Sequence, residues 1–183
     1  MRLLAAVLIC GNVLCADDLL YRSAAAKLDR IESGKTEPGE VVVFTPPEVN
    51  AYARGKALQY DGIRNPKVEL GIGTASGFAL INIAKLRTNG AANNPLIGAL
   101  LEGERPVRVS VSMESANGQC TFHLRSVEIS GLTLQGRMLD FLLSSVFLPM
   151  FPEAKIGEPF DLREPIDHLE MRPDGLRAVM KKK

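Results

Sequence analysis

Val107-Arg108-Val109-Ser110-Val111-Ser112-Met113-Glu114, then Ala116-Asn117-Gly118-Gln119, then Cys120-Thr121-Phe122-His123-Leu124: this stretch decides the fold class. Apolar and polar residues alternate on both sides of an Asn-Gly pair. A period of two places successive side chains on opposite faces of a strand. Asn-Gly suits the two positive φ angles of a tight hairpin turn. At Arg125-Ser126 the apolar parity flips to Val127 and Ile129. One extra residue there, a β-bulge, would keep a single apolar face. Residues 106–133 therefore predict a long antiparallel hairpin.

Upstream, the same period starts at Pro66. Val68, Leu70, Ile72 and Thr74 share one parity, and Phe78, Leu80, Asn82, Ala84 and Leu86 continue it. The other parity reads Glu69, Gly71, Gly73, Ala75, Gly77, Ala79. The expectation is one long strand, or two broken near Gly73–Gly77, with a bulky face and a nearly bare one. The three glycines miss the spacing of phosphate-binding loops. A bare strand face that lets a helix or another backbone approach is the structural reading. Residues 87–94 read as a loop and 95–101 as a short helix.

Thr45-Pro46-Pro47-Glu48 is a helix start. Thr stands at the cap, Pro at the first helical position and Glu at the third, a capping box. That helix is expected to reach Leu58 with Val49, Tyr52 and Ala53 inward, and Val41–Phe44 before it reads as a short buried strand. Residues 17–33 predict another helix, with Leu20, Ala24, Leu28 and Ile31 at helical spacing. Arg137–Met150 predicts a helix with almost no polar face, which must be enclosed. Phe160–Leu162 reads as a strand, and Pro173-Asp174-Gly175 as a turn between two final strands.

The first sixteen residues read as a secretory signal. Arg2 is the positive end, Leu3–Cys10 an apolar run too short to span a bilayer, and Ala16 a cleavage point before Asp17-Asp18. Lipid anchoring is disfavoured, since Leu14 and Ile9, not small residues, precede Cys15 and Cys10. The expected product is one α+β domain, residues 17–183, in the periplasm or outside the cell. Of the chain's 22 basic residues the leader holds one, leaving 21 against 21 acidic. That balance argues against a nucleic-acid partner. Cys120 is the one cysteine left, so no internal disulfide forms.

Chemistry has few candidates. Cys120 and His123 are three apart on a strand and fall on opposite faces, so they make no nucleophile–base pair. Cys120 reads as a core thiol, the alternative being a reactive or intermolecular one. His168 lies near a strand start. Asp161, Glu164, Asp167 and Glu170 read as solvated charge, with a weak calcium site as the alternative. No metal, cofactor or catalytic set emerges. What remains is an apolar excess. Long strands curling over an apolar helix can leave an elongated slot, lined by Phe78, Leu80, Val107, Val109, Val111, Phe122 and Leu124. Phe141, Leu142, Val146 and Phe147 of the helix would complete it. A filled core without a slot is the alternative.

The stretch Phe44-Thr45-Pro46-Pro47-Glu48-Val49-Asn50-Ala51-Tyr52, the meander Val68–Leu134 and the closing run Ile166–Leu176 together resemble the tubular lipid-binding (TULIP-like) superfamily. The likeness is to its small bacterial periplasmic phospholipid-binding members. The resemblance implies a long curved antiparallel sheet wrapped as a half-tube around one or two helices. It also implies non-enzymatic binding of a lipid or other acyl-chain ligand in the cell envelope, with transient membrane contact. The rival is an assembly factor that binds another envelope protein through a strand edge or the apolar helix. An enzyme is the weakest reading.

Overall fold

In the computed structural model, residues 4–82, 85, 103–144 and 155–182 are described, with side chains from residue 16 onward. The deciding hairpin forms β4 (Glu104–Ala116) and β5 (Gln119–Ile129), closed by the pair Ala116–Gln119. Asn117 and Gly118 take φ of 52° and 77°, the two positive values that a two-residue turn needs. Ser110 pairs with Ser126 but Val111 pairs with Leu124, so Arg125 is the extra residue of the expected bulge. Arg125 turns outward and donates to Ser112 Oγ at 2.7 Å.

Two more strands extend this sheet upstream, β2 (Ile63–Leu70) and β3 (Thr74–Asn82). The break falls at Gly71-Ile72-Gly73, where the Gly71 N–H donates to the Thr74 carbonyl at 2.8 Å. Downstream, β6 (Leu132–Leu134) pairs with the end of β5, and β7 (Phe160–Asp161) pairs with its beginning. The order is β2-β3-β4-β5-β6, with β7 beside β5, antiparallel throughout.

The second sheet has three antiparallel strands in the order β1 (Val41–Phe44), β9 (Gly175–Met180), β8 (Ile166–Arg172). Helices α1 (Leu4–Glu32) and α2 (Pro46–Ala57) pack on it, and α2 also lies against the edge of β2, where Asn50 donates to the Val68 carbonyl and accepts from the Val68 N–H, both at 2.8 Å. Ala24 and Ile31 of α1 are buried with Val42, Phe44, Ala178 and Met180, and Val49 and Tyr52 of α2 pack on them. The expected helix at 17–33 is thus the later part of a longer one.

Glu48 explains why α2 starts where it does. Its carboxylate accepts from the Thr45 N–H at 2.8 Å and from the Thr45 hydroxyl at 3.0 Å. It also reaches α1, accepting from Ser23 Oγ at 2.6 Å and from Lys27 Nζ at 2.6 and 2.7 Å. Lys27 Nζ donates in addition to the Val43 carbonyl at 2.8 Å. One buried carboxylate, 4% exposed, therefore ties α1, β1 and α2 together. Burial alone would push it up. The hydrogen bonds from Lys27, Ser23 and Thr45 outweigh that and hold it at about 2 against an ordinary 4.5.

The described part of the apolar helix is α3 (Arg137–Leu142). It is not enclosed all round, as its composition suggested. Leu139 is buried and Leu142 and Leu143 pack on the six-stranded sheet, but Met138 and Phe141 are 59% and 51% exposed. A short helix on one sheet face covers only one of its sides, and Phe141 falls on the other. Val146 and Phe147, the loop at 87–94 and the short helix at 95–101 lie outside the described residues.

Candidate functional site

Cross-strand partners share a face, so the registers tell which side chains line each side of the six-stranded sheet. Val68 pairs with Gly77, Gly77 with Val109, and Val109 with Val127. Leu70 pairs with Ala75, Ala75 with Val111, and Val111 with Leu124. Ala79 pairs with Val107, and Val107 with Ile129. These rows form one apolar face, which also carries Met113 and Phe122.

Two buried clusters close the ends of this face. Val107, Val127, Ile129, Leu134 and Leu139 pack at one end, with Ile81, Val109, Leu124 and Leu142 against them. Met113, Cys120 and Met171 pack at the other, with Phe122 and Phe160 stacked at 5.9 Å. Between them Val109, Val111 and Leu124 are half-buried. The floor between the β2 and β4 ridges is Ala75, Gly77 and Ala79. At Gly77, no atom of the described residues lies within 4 Å of where a Cβ would stand. Among the described residues no backbone approaches Gly77, whereas at Gly73 the Met171 carbonyl accepts from the glycine N–H at 3.0 Å. Among the described residues the small parity leaves a gap over Gly77 between Val68 and Val109, while Leu70 and Ala75 beside it pack on the Met113–Met171 cluster.

Of the expected lining residues, Val107, Val109, Val111, Phe122 and Leu124 come together on this face, and Leu142 borders it. Phe78 and Leu80 do not. Phe78 pairs with Lys67 and Arg108, and Leu80 with Arg64 and Pro106, on the opposite, polar face. The reason is the turn. Leu70 closes on Ala75, five residues on, so the parity that is inward in β2 points outward in β3. Phe78 instead borders a depression of about 250 Å³ with Lys67, Glu69, Ser76 and Arg108.

The titratable candidates are dispersed. Cys120 is 1% exposed, and burial pushes its thiol up, against a hydrogen bond with Ser115. That protonated, enclosed thiol is a core group. Its partner on the ladder is Ser115, while His123 lies on the other face, 3.6 Å from Glu114. The four acidic residues near the C-terminus do not form one cluster, although His168 joins two of them, its Nδ1 2.7 Å from Asp167 and its Nε2 3.5 Å from Glu170. Asp161 accepts from Gln119 at 3.2 Å, Glu164 from Lys181 at 2.5 Å, Asp167 meets His168 at 2.7 Å, and Glu170 meets Arg172 at 2.9 Å. Among the described residues no three His, Cys, Asp or Glu side chains converge as a metal site.

A second concavity, about 630 Å³, lies between α1, α2 and the start of β2. Arg54 in its wall donates from Nε to Asp17 Oδ2 at 2.8 Å and from a second nitrogen to Asp17 Oδ1. That bidentate hydrogen bond holds the Asp17 carboxyl below the usual range. Tyr21 stacks on Tyr52 at 5.5 Å and lies over Gly55, where a Cβ would come within 2.4 Å of its ring. Sequence reasoning missed this cavity, because Asp17 and Arg54 are 37 positions apart and no local pattern links them. No helix among the described residues is long and apolar enough to cross a membrane. No family model, curated protein or solved structure matches the chain.

Proposed function

We propose that this protein binds a lipid or another acyl-chain molecule, without catalysis, along the apolar face of the six-stranded sheet. The observation that carries the reading is the space over Gly77 that the described residues leave free, flanked by Val68 on one side and Val109 on the other. Apolar side chains left partly exposed gain from a ligand that covers them, by about 25 cal/mol for each Å² removed from water. A linear groove with apolar ridges and no charge on its floor suits a chain better than a compact polar molecule. The resemblance to tubular lipid-binding proteins supports the same class of ligand, with the sheet curling over α3 as a half-tube. The cell envelope is the proposed setting, after removal of residues 1–16.

The assembly-factor rival draws less support. The β2 edge carries Pro66, a register shift between Arg64 and Lys67, and Asn65 at φ 49°, devices that discourage strand addition. The test is Gly77→Leu. The added side chain meets no atom of the described residues, so the fold should keep its unfolding midpoint or gain. Binding of a fluorescent fatty acid should fall at least tenfold. Undiminished binding by a folded Gly77→Leu protein would refute the groove. Native mass spectrometry of protein purified from its host should show co-purifying lipid. A stoichiometric protein in its place would favour the rival.

A further inference from the structure

The two buried clusters that close the ends of the apolar face also limit the length of what can lie on it. The floor of the gap is β3. Ala79 pairs with Val107 of one cluster, and Ala75 packs on the other, around Met113, Cys120 and Met171. Both stops are well packed, since Val107 and Ile129 are 7% and 2% exposed, and Met113 and Met171 8% and 6%. Between them Val109 and Val111 are half-buried. On the far side of the second stop lies a cavity of about 580 Å³, lined by Met113, Ser115, Leu169 and Met171. Met113 separates the two spaces: it lines that cavity and belongs to the cluster on which Leu70 and Ala75 pack.

These dimensions select a ligand. From Ala75 to Ala79 the strand advances four residues, about 13 Å at roughly 3.3 Å each. An extended acyl chain advances about 1.3 Å per carbon, given a C–C bond of about 1.5 Å and a tetrahedral angle. The span therefore takes about ten carbons. Its width is limited as well. β2 and β4 lie about 4.8 Å to either side of β3, and Val68 and Val109 project from them beside Gly77. One chain fits between these side chains, and two do not. We propose that the site takes a single acyl chain of medium length, about eight to ten carbons, with Met113 as the stop that sets the limit. The assignment rests on the lipid-binding reading and specifies the ligand for it. A longer chain gains nothing further, because its surplus carbons lie outside the gap.

The experiment is displacement of a fluorescent fatty acid by saturated fatty acids of six to sixteen carbons, each below its micelle concentration. In the parent, every carbon added up to about ten should tighten binding roughly fourfold, as about 0.8 kcal/mol per buried CH₂ implies. From there to sixteen carbons the affinity should stay level. Met113→Ala opens the gap into the cavity beyond and lengthens the span by about two residues, so the rise should continue to about fourteen carbons. Met113→Leu keeps the bulk and should keep the parent's limit. A rise that runs unbroken to sixteen carbons in the parent would overturn the length assignment while the lipid-binding reading stands. So would a folded Met113→Ala protein with the parent's limit. The parent's own series decides the length even where Met113→Ala does not fold. If the parent binds none of these acids, both readings fall together.

Discussion

Replacing Glu48 with Gln tests the tie between the two helices and the three-stranded sheet. The amide can still accept from the Thr45 N–H, so the helix cap survives in part, but the charge that meets Lys27 and Ser23 is gone. The carboxyl is held at about 2 against an ordinary 4.5, and at about 1.4 kcal/mol per pH unit this gap is worth about 3 kcal/mol. Because the folded value lies below the unfolded one, the contribution is complete above pH ~4.5 and is lost as the pH falls toward ~2. Loss of one partner from a buried ion pair costs a similar 3–5 kcal/mol in other proteins, roughly. Urea unfolding of parent and Glu48→Gln between pH 2.5 and 7.5 measures it. The parent should lead by about 3 kcal/mol at pH 7, and the lead should shrink to about 1 kcal/mol at pH 2.5. A gap that stays constant across that range would refute the claim that an ionised Glu48 makes it.

Gly175→Ala should destabilise by roughly 2–3 kcal/mol or more in urea, since its Cβ would lie 2.5 Å from the Phe44 carbonyl oxygen at a φ of +154°. Cys120→Ala should cost about 1 kcal/mol through lost packing and leave lipid binding intact, and in the parent a thiol reagent should label Cys120 only after unfolding. Phe78→Ser should cost less than ~1 kcal/mol and not alter fatty-acid binding, because Phe78 stands on the polar face. Leu124→Arg on the groove side should abolish that binding in the same fluorescence assay.

Local patterns carried most of the strand meander. Alternation from Val107 to Leu124, the Asn117-Gly118 turn and the parity flip at Arg125 each have a local cause, and each is found in the fold. The capping box at Thr45–Glu48 was equally legible. Less legible was the second partner of Glu48. Ser23 and Lys27 sit four apart beside Ala24, Leu28 and Ile31, and polar residues bordering an apolar helix stripe were the signal that something buried must meet them. Phe78 and Leu80 were misplaced because parity runs through a turn only when its closing pair is known. Leu70–Ala75 reverses it, a fact of hairpin geometry that periodicity does not contain. At Gly73 the glycine-rich parity does admit another backbone, the Met171 carbonyl accepting from its N–H at 3.0 Å, while the reversal puts Gly77 on the apolar face with Val68 and Val109. The Asp17–Arg54 pair required the packing of two helices and had no local trace.

The most direct measurement of the central claim is methyl and aromatic NMR of the protein with a stearic acid spin-labelled on its chain. Bound in the groove, the label should broaden the methyl signals of Val109, Val111 and Leu124, whose side chains share the apolar face beside Gly77. The ring signals of Phe78, across the sheet, should be far less affected. Equal broadening on both faces, or broadening centred on Phe78 with Val109 and Val111 untouched, would contradict an acyl-chain site on that face.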